Sequence, residues 1–185
     1  MNLVKNIIDL SKVRLTISVV FSAVAGYFIA SKNFVLIDFS LLLAGGFLVV
    51  AASNGFNQII ERQYDKLMTR TSQRPLPSNR MSAKAAYIIS LIMLCAGVYL
   101  LFKINLLCGF LGFLSALLYV LIYTPMKRIS SISVLVGAFP GAIPFLLGWI
   151  AVTNELNIEA LILFSIQFIW QFPHFWAIAW VCDKD

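Results

Sequence analysis

Three oxygen-bearing side chains, Asn57, Glu61 and Asp65, stand four residues apart in the stretch "NGFNQIIERQYDKLMTRTSQRPLPSNR", residues 54–80. On a helix each four-residue step drifts only ~40°, so all three face one way, neighbours about 6 Å apart along the axis and the outer pair about 12 Å. That ladder is too long for all three to grip one bare ion closely. It suits a metal that brings phosphate oxygens with it, because Mg²⁺ takes one or two carboxylates and leaves its other positions to water or substrate. Hard oxygen donors also argue against zinc or copper. Just downstream, Lys66, Arg70 and Arg74 carry positive charge toward the same phosphates, Arg as a planar fork and Lys as a compact charge. A second reading needs no ligand: Glu61 and Asp65 with Arg62, Lys66 and Arg70 also suit i,i+4 surface pairs at a helix end.

The elements that must position these groups follow from hydropathy. Of 185 residues 61% are hydrophobic and 12% charged, and the mean hydropathy is +0.90, which excludes an ordinary soluble globular domain. Six segments approach or exceed the ~20 apolar residues that cross a bilayer: Leu15–Ala30, Phe39–Ile60, Ala85–Phe102, Ile104–Tyr123, Ile132–Val152 and Ala160–Val181. The expected fold is an all-α membrane protein, a transmembrane helix bundle, with "RPLPSNRMS" as the one sizeable irregular connection. Gly45-Gly46, Gly109 with Gly112 and Gly137 with Gly141 predict close helix contacts. Lys5 and Lys12 before an apolar run, with "AVA" at 23–25, imitate a signal peptide, but Arg14 interrupts that run and it continues to Ala30, so an uncleaved first span is expected.

Charge supplies the orientation. Twelve of the 14 Lys and Arg residues fall in the amino-terminal segment, the 61–84 loop, the 124–131 loop and the carboxyl end, leaving Lys32 and Lys103 on the other side. Those four segments are therefore expected in the cytoplasm, and the net +6 charge needs no nucleic-acid partner. Cys95, Cys108 and Cys182 have no paired spacing and are expected as buried free thiols.

Several motifs in order resemble the UbiA family of intramembrane prenyltransferases. Asn57, Glu61 and Asp65 match the Asn-x-x-x-acid-x-x-x-Asp pattern of its first aspartate-rich motif, and Gln58, where many quinone-forming members carry another Asp, is similar to the heme-modifying branch. Met68, Arg70, Thr71, Arg74, Pro75 and Leu76 resemble that branch's "MxRTxxRPL". "YTPMKR" at 123–128, "GAFPGAIPFLLGW" at 137–149 and "WQFPHFWAIAW" at 170–180 resemble three further signatures.

The resemblance implies a bundle of nine helices, six of them present, forming one domain over residues 1–185 that is incomplete at its carboxyl end. It also implies transfer of a farnesyl group from farnesyl diphosphate to a vinyl group of heme B, with Mg²⁺ as cofactor and heme B as substrate. Carried over, Asn57, Glu61 and Asp65 become metal-binding and, with Arg70 and Lys127, catalytic; Lys66, Arg74, Arg128, His174, Gln171 and Asp185 become substrate-binding. The implied surroundings are a bacterial inner membrane and association with heme A synthase or terminal oxidase assembly. Prenylation of a quinone precursor, or a transport or assembly role, stays as the alternative.

Individual residues keep two readings. His174, the single histidine, is a heme-iron or propionate contact, or else a neutral bundle histidine beside the Pro173 kink. Lys127 and Arg128 bind diphosphate or only set topology; Tyr123 and Trp149 line a site or anchor at the interface. The chain stops at "CDKD", where Asp185, with Asp183, opens a second acidic motif or is a solvated end; these residues alone are expected to be inactive.

Overall fold

The computed structural model describes residues 3–181, all helices and turns. A short helix α1 (Leu3–Ser11) turns Asn6, Leu10 and Ser11 inward, leaves Leu3, Val4 and Ile8 outward, and is separated from α2 (Val13–Ala30) by Lys12. Lys12 has left-handed backbone angles (φ 45°), a conformation costly for a residue with a Cβ, and it breaks the helix there. The remaining elements are α3 (Leu36–Glu61), α4 (Ala83–Ile104), α5 (Leu106–Leu117), a π-helical stretch (Leu118–Tyr123), α6 (Thr124–Met126), α7 (Ser133–Thr153) and α8 (Ile158–Val181). With α5 through α6 forming one continuous rod, six helices are long and apolar enough to cross a membrane. Each observed span begins or ends within a few residues of its expected bounds.

Local chemistry sets the ends of several helices. Ser82 accepts the Ala85 N–H at 3.1 Å and Asn105 the Cys108 N–H at 2.8 Å, each satisfying a donor that the first turn leaves open. Asn105 also donates to the Ile150 carbonyl at 3.0 Å, fixing the α4–α5 hairpin to α7. Helix α3 ends at Glu61, so Asp65 stands past the helix rather than on it, a correction to the simple three-rung ladder. Its N–H still reaches back to the Glu61 carbonyl at 2.9 Å, which keeps it one turn beyond Glu61 before Thr71 fixes its carbonyl at 2.9 Å.

Helix α7 lies at the centre, with Ala142, Ile143, Leu146, Leu147 and Ile150 buried against residues of α2, α3, α4 and α5. Its seam with α2 brings backbones together: a Cβ at Gly26 would strike the Phe145 carbonyl, and one at Gly148 the Ala23 carbonyl. Neither glycine belongs to a pair that the sequence singled out, because the partner of each lies more than 100 positions away in the chain. Helix α8 covers α7 on one side only, and its other face, with Trp176 and Trp180, is bare. Cys108 is buried, whereas Cys95 is exposed on the outer surface of α4, against expectation: the apolar solvent of a membrane lets a thiol face outward. Cys182 lies outside the described residues.

Candidate active site

At the end of the bundle where α1, the 62–82 loop and α6 meet, the carboxylates are buried and matched by cations. Glu61 receives the Lys127 ammonium at 2.6 Å on Oε1 and 2.7 Å on Oε2. One Arg74 nitrogen lies 2.8 Å from both oxygens of Asp65. Asn57, fully buried, donates from Nδ2 to Glu61 Oε2 at 2.9 Å and to Thr124 Oγ1 at 3.3 Å, while its Oδ1 accepts the Lys12 ammonium at 3.1 Å. Burial of opposite charges is sustainable when each is paired and its remaining hydrogen-bonding capacity is used, which is the case around Glu61.

The π-helical stretch explains how "YTPMKR" reaches this cluster. Pro125 cannot donate an i→i−4 hydrogen bond, and the rod widens just before it, with the Thr124 N–H and hydroxyl both donating to the Tyr119 carbonyl, the latter at 2.8 Å. The added residue per turn shifts the register so that Thr124 meets Asn57 and Lys127 meets Glu61.

Lys12 is a residue that the sequence reading used only for topology. The break between α1 and α2 drops its ammonium among Asn57, Glu61, Asp65, Arg74 and Lys127. Burial first, then repulsion from Arg74 and Lys127, pushes it from the ordinary lysine value down to about 7, against the pull of Glu61 and Asp65. The sequence signal available was its place four residues before Thr16 at a helix break, which only the fold could connect to Asn57. Thr124, buried between two functional stretches, was likewise missed.

Not every expected residue joins. Arg70 and Arg74 line an open cleft with Lys12, Arg14, Asp9 and Gln73, on the side of Lys12. Lys66 instead lines a separate cleft with Arg62, Gln63 and Asn79. The Arg128 guanidinium lies over the Tyr64 ring, 4.0 Å from its centre. Gln58 is fully buried and donates to the Asp9 and Leu10 carbonyls at 3.1 and 2.9 Å, tying α3 to the end of α1. Asp183 and Asp185 lie outside the described residues.

Beneath the cluster opens a chamber of ≈ 240 Å³ between α2, α3, the π-helical stretch, α7 and α8. Asn54, about 4.5 Å along α3 from Asn57, lines its upper part together with Tyr119, Tyr123 and His174. His174 stacks on Trp170, ring centres 5.0 Å apart. Gln171 also lines the chamber and donates to the Gly141 carbonyl at 3.3 Å; a Cβ at Gly141 would stand 2.7 Å from the Gln171 Cδ, so that amide needs the glycine.

Among the described residues no three His, Cys, Asp or Glu side chains converge. Two buried carboxylates and an amide oxygen, each facing a lysine or arginine side chain, fit a hard divalent ion that arrives with phosphate oxygens, and fit a bare ion poorly.

Known proteins share this architecture. Protoheme IX farnesyltransferase of Flavobacterium psychrophilum is 51% identical over 180 residues, covering 96% of this chain and 60% of that one. The protein of the same name from Christiangramia forsetii is 51% identical over 177 residues, covering 96% and 59%. The chain thus spans about 60% of the length of the curated relatives it matches. A solved structure described as a digeranylgeranylglyceryl phosphate synthase superposes with a TM-score of 0.81 at 25% identity, over 91% of this chain and 59% of that one. A UbiA homolog from Aeropyrum pernix shares the fold, with a TM-score of 0.71 at 21% identity over 86% of this chain and 60% of that one. The model of the UbiA prenyltransferase family matches residues 19–185, taking in α3, the turn after it and the rod that delivers Lys127, and this chain belongs to that family.

Proposed function

We propose that the chain carries the donor side of an enzyme that moves the farnesyl group of farnesyl diphosphate onto a vinyl carbon of heme B, giving heme O. The observation that carries this reading is the juxtaposition of a buried carboxylate–cation cluster with an apolar chamber directly beneath it. Such a junction suits an amphiphile with a multiply charged head and a hydrocarbon tail. The farnesyl donor and heme acceptor rest on the relatives, about half identical over almost all of this chain.

Asn57, Glu61 and Asp65 would hold Mg²⁺ together with the diphosphate, and the ion when bound neutralises charge on the leaving group. The protein's own cations do the same work around it. Lys12, Lys127, Arg70 and Arg74 would turn from their present partners toward the phosphate oxygens as the allylic C–O bond breaks and its electron pair leaves with diphosphate. Stabilisation of charge that grows in the transition state raises the rate rather than only the affinity. Below, the chamber would keep water from the allylic cation until the vinyl group attacks it; Tyr119 and Tyr123 are on its wall, and an aromatic face turned to the cation would favour it. Water then adds to the resulting cation on the heme side and loses a proton, giving the hydroxyethylfarnesyl substituent.

His174 on the chamber wall is the group proposed to meet heme, by its iron or a propionate. The cluster is assigned to the cytoplasmic face of a bacterial inner membrane, where both donor and heme B would arrive, with heme A synthase or terminal oxidase assembly downstream. The test gives membranes carrying the full-length protein farnesyl diphosphate and Mg²⁺ with heme B or with a phenolic quinone precursor. Farnesylated heme alone is expected. A prenylated phenol would move the chain to the quinone-forming enzymes, and no prenyl product from either would leave transport as the better reading.

A further inference from the structure

One glycine of α3 has a use that packing does not explain. A Cβ placed on Gly45, Gly97, Gly109 or Gly112 would press to within about 3 Å of a neighbouring backbone or side chain, so those positions are glycine because helices touch there. At Gly46 the nearest atom is Val20 Cγ2, at 3.9 Å, an ordinary contact. Helix α3 also loses stability at a glycine relative to alanine, by about 1 kcal/mol, with no packing gain to offset it.

The space over Gly46 is the end of the chamber. A small recess of ≈ 30 Å³ opens there and shares Val19, Val49, Val50, Ser115 and Pro144 with the chamber's wall. The recess is also lined by Ala23, Leu42, Leu101, Gly112 and Leu147, of which Leu42 and Leu101 are fully buried.

Depth can be measured along α3. Gly46 lies 11 residues from Asn57, about 16.5 Å at 1.5 Å per residue, and Leu42 about 22 Å. An extended chain of bonded atoms advances ~1.2 Å per bond, so each four-bond isoprene repeat covers ~5 Å, and with the two bonds that join phosphorus to the first carbon a three-repeat tail ends ~17 Å and a four-repeat tail ~22 Å from its phosphate. A tail hung from a diphosphate at Asn57 therefore places its third repeat at Gly46. A two-repeat tail stops near Val49, and a four-repeat tail reaches Leu42.

We propose that Gly46, by its missing side chain, keeps open the recess that takes the third isoprene repeat of the donor, with Leu42 as the floor that rejects a fourth. This rests on the prenyl-donor reading above and adds to it the residue that selects chain length. The lining of the recess does not include His174, the group proposed to meet heme, so the proposed selection acts on binding of the donor and does not need the acceptor.

The experiment uses the full-length protein in membranes and the ten-, fifteen- and twenty-carbon prenyl diphosphates with Mg²⁺. Donor binding is measured by competition without acceptor, and products with heme B by mass. Gly46→Leu is expected to lower the affinity for the fifteen-carbon donor relative to the ten-carbon one by about tenfold or more. Leu42→Ala is expected to admit the twenty-carbon donor. Gly46→Ala, whose added methyl has room, covers the case in which leucine prevents folding, and should shift the same ratio in the same direction by a smaller factor. An unchanged ratio in Gly46→Ala together with unchanged rejection of the twenty-carbon donor in Leu42→Ala would overturn the proposal while leaving farnesyl transfer standing. A shifted binding ratio with no prenylated heme would sustain the recess and remove the heme acceptor. Failure of the unaltered protein to bind any of the three donors would bring down both.

Discussion

The two ends of the bundle are built by different physics. At one end Tyr27, Phe28, Phe34 and Phe39 form a cluster of rings with centres 5.2–6.1 Å apart, and the Tyr27 hydroxyl both donates to the Val35 carbonyl and accepts the Val35 N–H at 3.1 Å. All of those partners lie within a dozen residues of one another, across a single turn. At the other end Lys12 meets Asn57, Glu61 meets Lys127 and Asn57 meets Thr124, pairs 45, 66 and 67 residues apart. A local aromatic clasp holds two helices and asks little of the rest of the fold. A cluster of buried charges needs three separate chain segments in place at once: Asn57 and Glu61 bond to each other within α3, but each also takes a partner from a distant segment. Of the two ends, therefore, one is held by local apolar contacts and the other brings distant polar groups together for chemistry.

Substitutions can break this contrast at either end. The largest effect is expected at the carboxylates: Glu61→Gln or Asp65→Asn in the full-length protein loses Mg²⁺-dependent turnover by about a hundredfold or more while the helices still insert. Near-normal turnover by both would return these residues to surface pairing. Lys127→Met and Lys12→Met come next. Each removes one cation from the phosphates, with expected losses of about ten- to a hundredfold in kcat/KM. A change confined to protein yield, with kinetics intact, would make them structural.

The basic residues of the loop sharpen the comparison further. Arg70→Ala, on the Lys12 side, is expected to cost about tenfold, whereas Lys66→Ala and Arg62→Ala, which line a different cleft, should stay within about twofold in the same assay. Equal losses at all three would mean that bulk positive charge matters and position does not. The smallest effect belongs to the opposite end: Tyr27→Phe should lower stability by about 1 kcal/mol, read as thermal inactivation of the detergent-solubilised protein, with kcat unchanged. A fall in kcat there would show that the two ends are coupled.

Much of the fold was legible in advance. Six spans and their approximate bounds follow from hydropathy alone, since a segment in lipid must satisfy its own backbone and cover itself with apolar side chains whatever its neighbours do. The glycines that set the α2–α7 seam were not legible, because Gly26 and Gly148 look like any other small residues until two helices cross. At the site, Asn57, Glu61 and Asp65 announced themselves through spacing, and Lys127 through a motif. Lys66 and Arg128 announced themselves equally and yet stand elsewhere, in a separate cleft and over the Tyr64 ring.

By itself the sequence determined that this chain crosses a membrane as helices, which end of the bundle gathers the charge, and which carboxylates lie one turn apart, because each of those is a property of periodicity and composition along a single segment. Only the tertiary structure decided that Lys12 faces Asn57, that a π-helical register brings Thr124 and Lys127 to the same cluster, and that the space over Gly46 continues the chamber. Those depend on how segments far apart in the chain are brought together, and side chains of the same type and local spacing are identical in sequence until packing assigns one to a buried ion pair and the other to the surface.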